Sequence, residues 1–139
     1  MKIKKAIVTG GAGFIGSNLV DKLIDMGVEV HIIDDLSTGF KKNINTNAIF
    51  HKMDISEIEV DGNHWKLKDT DVIFHCAALA RVQPSIEDPI PFDNVNVGGT
   101  LRMLMLAHKL GVKKFVYSAS SSCYGNNKNF PTPETESTN

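Results

Sequence analysis

Cysteine, charge of one sign and long apolar runs are all scarce in this chain, and each scarcity removes a class of protein. The two cysteines, Cys76 and Cys123, show no metal-ligand spacing and do not make the disulfide framework of a small secreted domain. A formal net charge of −1 gives no electrostatic case for binding nucleic acid or an anionic membrane. The cluster Lys2, Lys4, Lys5 and the pairs Lys41-Lys42 and Lys113-Lys114 read as solvated ends of strands and loops. No apolar run is long enough to span a bilayer. The basic start followed by Ala6-Ile7-Val8 is not a signal peptide, because Thr9 and the glycines after it interrupt the apolar stretch. The expected setting is a reducing cytoplasm, with neither nucleic acid nor membrane as a partner. What remains is a chain of 139 residues, 42% hydrophobic and 22% charged, enough for one globular domain with a core of its own.

Apolar runs and helical patterns alternate along that chain. Ile3–Val8 reads as a first strand. Phe14–Met26 reads as a helix with Phe14, Leu19, Leu23 and Met26 on its buried face, stopped by Gly27. Val28–Ile33 is a second strand, Ala48–Met53 a weaker third and Asp71–Cys76 a fourth. A helix over Val95–Leu110, ended by Gly111, leads to a fifth strand, Val112–Ser118. Ser56–Lys68 holds a turn at Asp61-Gly62-Asn63 and a short helical possibility around Trp65. From Asn126 onward the pattern is that of a loop. Strands alternating with helices imply parallel pairing through right-handed crossovers, so the expected fold is α/β, a Rossmann-type doubly wound parallel sheet of about five strands.

Between the first strand and the first helix stands Thr9-Gly10-Gly11-Ala12-Gly13-Phe14-Ile15-Gly16-Ser17. In that context Gly11 permits the tight turn, Gly13 lets backbone approach a pyrophosphate, and Gly16 lets the helix pack closely on the sheet. Free N–H groups and the positive end of the helix dipole then face the phosphates. The second strand ends in Asp34-Asp35. Asp34 lies 18 residues beyond Gly16, near the distance of about 20 at which an acid meets the adenosine ribose. A carboxylate there accepts from both ribose hydroxyls and repels a 2′-phosphate, so NAD is expected rather than NADP. Its bland alternative is a solvated turn acid. Asp35 serves equally well to shape the turn Leu36-Ser37-Thr38-Gly39.

These segments, with Met53-Asp54-Ile55, His75-Cys76-Ala77-Ala78 and Ser118-Ala119-Ser120-Ser121-Ser122-Cys123-Tyr124-Gly125, resemble the extended short-chain dehydrogenase/reductases. Within them the chain is similar to the NAD-dependent epimerase/dehydratase group, and there to nucleotide-sugar epimerases of the UDP-glucose 4-epimerase type. The resemblance implies a cofactor site built from Gly10, Gly11, Gly13, Phe14, Ile15, Gly16, Asp34, Asp35, Asp54, Ile55, Cys76, Ala77, Ala78, Asn96 and Ser118. In it Asp54 and Ile55 bracket the adenine, and Ala77 and Ala78 leave room for the cofactor. Those two would otherwise be a strand-end acid and a core isoleucine, and the alanines simple packing residues. Asn96, in Asn96-Val97-Gly98-Gly99-Thr100, resembles the family asparagine that reaches toward the nicotinamide; Asn94 or Asn96 would serve equally as a helix cap. His75 reads as a structural histidine at a strand end rather than a catalyst.

By the same resemblance Ser120 is the catalytic serine that hydrogen-bonds the reacting sugar hydroxyl, with Ser118, Ser121 and Ser122 as competitors. No G-x-S-x-G elbow or His/Asp relay makes a serine a nucleophile. Tyr124 and Lys128 have the Y-x-x-x-K spacing of the family's base, but Gly125-Asn126-Asn127 is turn chemistry and Pro131 follows, so the two are not expected to share a helix face. Tyr124 is expected on the substrate side of the cofactor pocket. The implied reaction is hydride transfer to and from NAD through a 4-keto sugar, on a UDP-linked nucleotide sugar, in a homodimer. Related dehydratases carry an Asp-Glu pair where this chain has Ser121-Ser122, which disfavours loss of water. Dehydratase, reductase and decarboxylase chemistry on the same fold, or a non-catalytic dinucleotide-binding module, are the alternatives. The Tyr/Lys helix, later strands and substrate domain of the family have no counterpart in residues 1–139. The expectation is therefore the N-terminal part of such an enzyme, inactive alone, with its fifth strand and last helix uncovered and prone to associate.

Overall fold

The computed structural model describes residues 2–126 and 128–138, and of Trp65 the backbone only. Five strands form one sheet: β1 (Lys5–Thr9), β2 (Glu29–Asp34), β3 (Ile49–Lys52), β4 (Val72–His75) and β5 (Lys114–Tyr117). All four pairings are parallel, in the order β3-β2-β1-β4-β5. This is the doubly wound dinucleotide-binding order through its fifth strand. The register sets Ile7 opposite His31 and Ile73, and Val8 opposite Ile32 and Phe74.

Alternate strand residues therefore build two cores, one on each face. On one face Ala6, Val8, Val30, Ile32 and Val72 meet Val20 and Leu23 of helix α1 (Phe14–Asp25). On the other, Ile7, Ile33 and Ile73 meet Met103, Leu106 and Ala107 of the last helix, together with Ile55, Ile58 and Leu67 from the connection between β3 and β4. Short 3₁₀ turns at Ile55–Glu57 and Trp65–Leu67 carry that connection. Helix α1 ends as expected: Gly27 takes φ +75° and the Val28 N–H closes a 3.0 Å bond to the Leu23 carbonyl, a six-to-one helix stop. Gly111 repeats the device with φ +67°, the Val112 N–H reaching the Ala107 carbonyl at 2.9 Å.

Two expectations need correction. The buried face of α1 is Gly16, Ser17, Val20 and Leu23, whereas Phe14 is 83% and Met26 63% exposed. Phe14 opens the helix two and a half turns before Leu23, and so on the opposite side, and Met26 is the C-cap, past the last helical residue. The single helix expected over Val95–Leu110 is a composite. Helices α2 (Val82–Glu87) and α3 (Pro89–Asp93) lead into a π-helical turn at Asn94–Gly99, and only then comes α4 (Thr100–Lys109). The π turn carries Gly99 against Ile55, where an added Cβ would stand 2.7 Å from the isoleucine side chain. β5 forms an edge, with Val116 and Tyr117 exposed, and α4 presents Leu101, Leu104 and Met105 outward.

Candidate functional site

The strand order reverses at β1, with β2 and β3 on one side and β4 and β5 on the other. In open α/β sheets the crevice outside the carboxyl ends at such a point is where ligands bind. A cavity of about 450 Å³ lies there, walled by the loop after β1 and the exits of β2, β3 and β4. A hollow of about 520 Å³ at the opposite end of the strands is lined by Lys4, Lys5, Asp71 and Lys113 among others. There the Asp71 carboxylate already accepts from the backbone of Lys4 and Lys5 and from the Lys113 ammonium. Its charge is matched within the fold, so the carboxyl-end cavity is the functional candidate.

The loop after β1 is tight because two backbones meet. Gly10 takes φ +68°, its N–H donates to the Ile33 carbonyl at 2.9 Å, and an added Cβ would stand 2.8–2.9 Å from the backbone of Cys76 and Ala77. The turn expected at Gly11 is thus made at Gly10, and Gly11 instead accommodates the Ile32 side chain. A Cβ on Gly16 would overlap the Gly10 carbonyl, so the helix seats directly on the loop. Gly13 begins α1 with no side-chain cap at the helix N-terminus among the described residues and no acid in its first turn. Those N–H groups, at the positive end of the helix dipole, are left for an anion. Exposed Phe14 and Ile15 border the cavity beside them.

Asp34, 8% exposed, closes the β2 side. Its Oδ2 accepts the Ala12 N–H at 2.9 Å and its Oδ1 the Leu36 N–H at 2.8 Å. A carboxylate oxygen has room for about two donors, so each retains capacity toward the cavity that Asp34 lines. Asp35 Oδ1 accepts from both the N–H and the hydroxyl of Ser37, at 2.9 and 2.7 Å, which shapes the following turn. Asp54 Oδ1 does the same for Ser56, at 2.8 Å each. Ile55 belongs to the core and borders the cavity at once.

On the β4 side the wall is Cys76, Ala77, Ala78 and Leu79. Asn96 does not cap a helix. Its Oδ1 accepts the Leu79 N–H at 2.8 Å and its Nδ2 donates to the Leu79 carbonyl at 2.9 Å. The Thr9 hydroxyl oxygen lies 3.2 Å from both the Cys76 and Ala77 N–H groups and 2.9 Å from His75 Nδ1. The other ring nitrogen of His75, Nε2, is 3.0 Å from the Thr100 hydroxyl. The imidazole is 1% exposed, and burial pushes its pKa down to about 4.

Twelve of the expected site residues thus border one cavity: Gly10, Gly13, Phe14, Ile15 and Gly16; Asp34, Asp35, Asp54 and Ile55; Cys76, Ala77 and Ala78. Gly11 and Asn96 support the walls from behind. Ser118 stands at the β5 exit, its hydroxyl 3.4 Å from the Cys76 sulfur. Ser120 lies farther along that exit, where its oxygen accepts the Ser122 N–H at 3.1 Å and its hydroxyl donates to Ser122 Oγ at 3.0 Å. It caps a 3₁₀ turn over Ser121–Tyr124, after which Gly125 takes φ +60°. No helix follows among the described residues, so Tyr124 and Lys128 share no helix face; Asn127 between them lies outside the described residues. Ser37, Thr38, Gly39 and Met53 also border the cavity. In the sequence the first three belong to the turn that follows Asp34-Asp35, and Met53 stands in the segment Met53-Asp54-Ile55.

Known proteins are similar to this chain in sequence and in fold. The UDP-glucose 4-epimerase of Mycolicibacterium smegmatis is 42% identical over 137 residues, covering 94% of this chain and 43% of that protein. The UDP-glucose 4-epimerase of Thermotoga maritima, solved with UDP-glucose, superposes with a TM-score of 0.88 at 43% identity, over 97% of this chain and 44% of that one. The Thermus thermophilus UDP-glucose 4-epimerase, solved as a complex with NAD, gives 0.83 at 34% identity, with 97% and 44% covered. The chain spans about two fifths of the length of the curated relatives it matches. With the profile of the NAD dependent epimerase/dehydratase family matching residues 6–139, on a Rossmann-type parallel sheet with the glycine loop and strand-end acid in place, the chain belongs to that family.

Proposed function

We propose that the cavity at the carboxyl ends of the strands holds NAD and that these residues form the N-terminal part of the cofactor domain of a nucleotide-sugar epimerase. The observation that carries this reading is the arrangement around the glycine loop. The α1 N-terminus, uncapped by a side chain among the described residues, and the Asp34 carboxylate, with acceptor capacity left, border one cavity. The pyrophosphate would lie at the α1 N-terminus, held by its N–H groups. Asp34 would accept from the adenosine ribose hydroxyls and oppose a 2′-phosphate. Asp54 and Ile55 would bound the adenine, Asp54 through Oδ2, since Oδ1 is engaged by Ser56. The nicotinamide half would extend the other way, over Cys76, Ala77 and Ala78.

When bound, NAD supplies a reversible hydride acceptor. This chain's residues orient it and offer hydroxyls at the β5 exit. There Ser120, whose oxygen already interacts with two groups of Ser122, would hydrogen-bond the reacting sugar hydroxyl. The base that removes the proton would come from residues beyond these, as would the grip on a UDP-linked sugar, because Tyr124 and Lys128 do not form a helical pair. The exposed Leu101, Leu104 and Met105 of α4 favour a homodimer.

The test is a chain of the relatives' length that contains these residues, incubated with UDP-glucose. Formation of the 4-epimer supports the reading. Loss of water from the sugar, or its decarboxylation or net reduction, overturns it in favour of the other reactions on this fold.

A further inference from the structure

His75 is buried at the end of β4 and takes no part in the cofactor contacts above, yet both its ring nitrogens are engaged. The direction of each bond follows from counting hydrogens. A carbonyl oxygen can only accept, so the Thr100 hydroxyl, 2.7 Å from the Asn96 carbonyl, spends its single hydrogen there. Thr100 Oγ1 must then accept from His75 Nε2 at 3.0 Å, which places the ring proton on Nε2. Nδ1 carries no proton and accepts the Thr9 hydroxyl at 2.9 Å. The two lone pairs of Thr9 Oγ1 are thereby free to receive the N–H groups of Cys76 and Ala77. At the other end, Asn96 holds both backbone groups of Leu79. One uninterrupted series of bonds thus begins and ends on the same loop, Cys76–Leu79, and passes through β1, the ring and α4.

That loop borders the cavity on the side of the glycine loop away from Asp34 and Asp54. With the ribose acid on β2 and the phosphates at α1, it faces the nicotinamide half. We propose that His75 is a positioning residue for that half: a neutral ring, protonated on Nε2, that ties Thr9 to Thr100 and so fixes the loop Cys76–Leu79. The inference rests on the cofactor reading above. An imidazolium would set a second N–H against Thr9 Oγ1, whose lone pairs already receive two donors. Burial disfavours that charged form as well.

The test compares NAD with ADP, which shares the adenosine and pyrophosphate but lacks the nicotinamide half, on the 139-residue chain by calorimetry. Thr100→Val keeps the shape and removes the acceptor for Nε2–H. It is expected to weaken NAD roughly tenfold, the scale of one buried donor left unpaired, with ADP unchanged and Thr100→Ser restoring NAD affinity. Parallel loss of both ligands, or unchanged NAD affinity in Thr100→Val, overturns the inference. A wild-type chain that binds neither ligand overturns the cofactor reading and the inference with it. Independently of any variant, ¹⁵N NMR of the wild-type ring at pH 6 is expected to show protonated Nε2 and bare Nδ1. The Nδ1–H tautomer or an imidazolium would contradict the assignment.

Discussion

The Oδ2 atom of Asp34 accepts the backbone N–H of Ala12 at 2.9 Å, so the acid at the end of β2 also organises the loop at the end of β1. With Oδ1 receiving the Leu36 N–H, the carboxylate bridges two loops before any ligand arrives. It is both structural and available. That dual use explains how a charged side chain is kept at 8% exposure: backbone donors solvate it where water cannot.

Asp34→Asn is therefore expected to destabilise the fold even without cofactor. Both carboxylate oxygens accept, and an amide must turn an NH₂ toward one of the two N–H donors. The expected cost is about 1–3 kcal/mol, measured by urea unfolding. An unchanged midpoint and slope would show that the Ala12 and Leu36 bonds contribute nothing.

Gly10 and Gly27 have nearly the same backbone, φ +68° and +75°, in different surroundings. A Cβ at Gly27 meets nothing within 4 Å, whereas at Gly10 it strikes the backbone of Cys76 and Ala77. Gly27→Ala is expected to cost about 1 kcal/mol, the price of the left-handed conformation alone. Gly10→Ala should cost about 3 kcal/mol or more, because rigid backbone must also move. Thermal unfolding of the pair isolates the contact of the β1 and β4 loops, and equal losses would refute it.

Acid should destabilise the chain well above the carboxylate range. Burial lowers the pKa of His75 to about 4, and also lowers those of His31 and His51. Above the unfolded value near 6.5 these rings are neutral in both states. As pH falls below it the unfolded chain takes up protons the folded chain refuses, so stability is lost until the folded values are reached. For His75 the loss between pH 6.5 and 4 is about 3 kcal/mol. Glu29 and Asp71 extend it to lower pH. The hydrogen bond from His31 holds the Glu29 carboxyl down, and the Lys4 N–H does so for Asp71. Urea unfolding at pH 7.5, 6 and 5 should give falling stability, and a flat profile would contradict the burial of these rings.

Much of this was legible in the sequence, and the remainder has identifiable causes. All five strands were placed, with ends moved by a residue or two: β1, β2 and β4 because they are compact, largely buried apolar runs, and the edge strands β3 and β5, which bury no residue fully, because they keep the alternation with helices. The glycine loop and Asp34 were visible because their spacing is imposed by one turn and one crossover. Helices α2 and α3 left no periodic signal, since neither buries a residue and Pro84, Pro89 and Pro91 argue locally against a helix. Met26 keeps the spacing of Leu19 and Leu23 but is the C-cap of α1, past its last turn, whereas Phe14 lies two and a half turns from Leu23 and so on the opposite side of the helix. The grip of Asn96 on Leu79 and the link of His75 to Thr100 join residues 17 and 25 positions apart. No spacing rule specifies either, because a π-helical turn sets their alignment.

The most direct test of the central claim is calorimetric titration of the 139-residue chain with NAD and with NADP. The Asp34 carboxylate and the α1 N-terminus on one cavity predict that NAD binds, that NADP binds more weakly, and that Asp34→Asn narrows the difference. Tighter binding of NADP, or no heat with either dinucleotide while ADP is equally inert, would contradict the account.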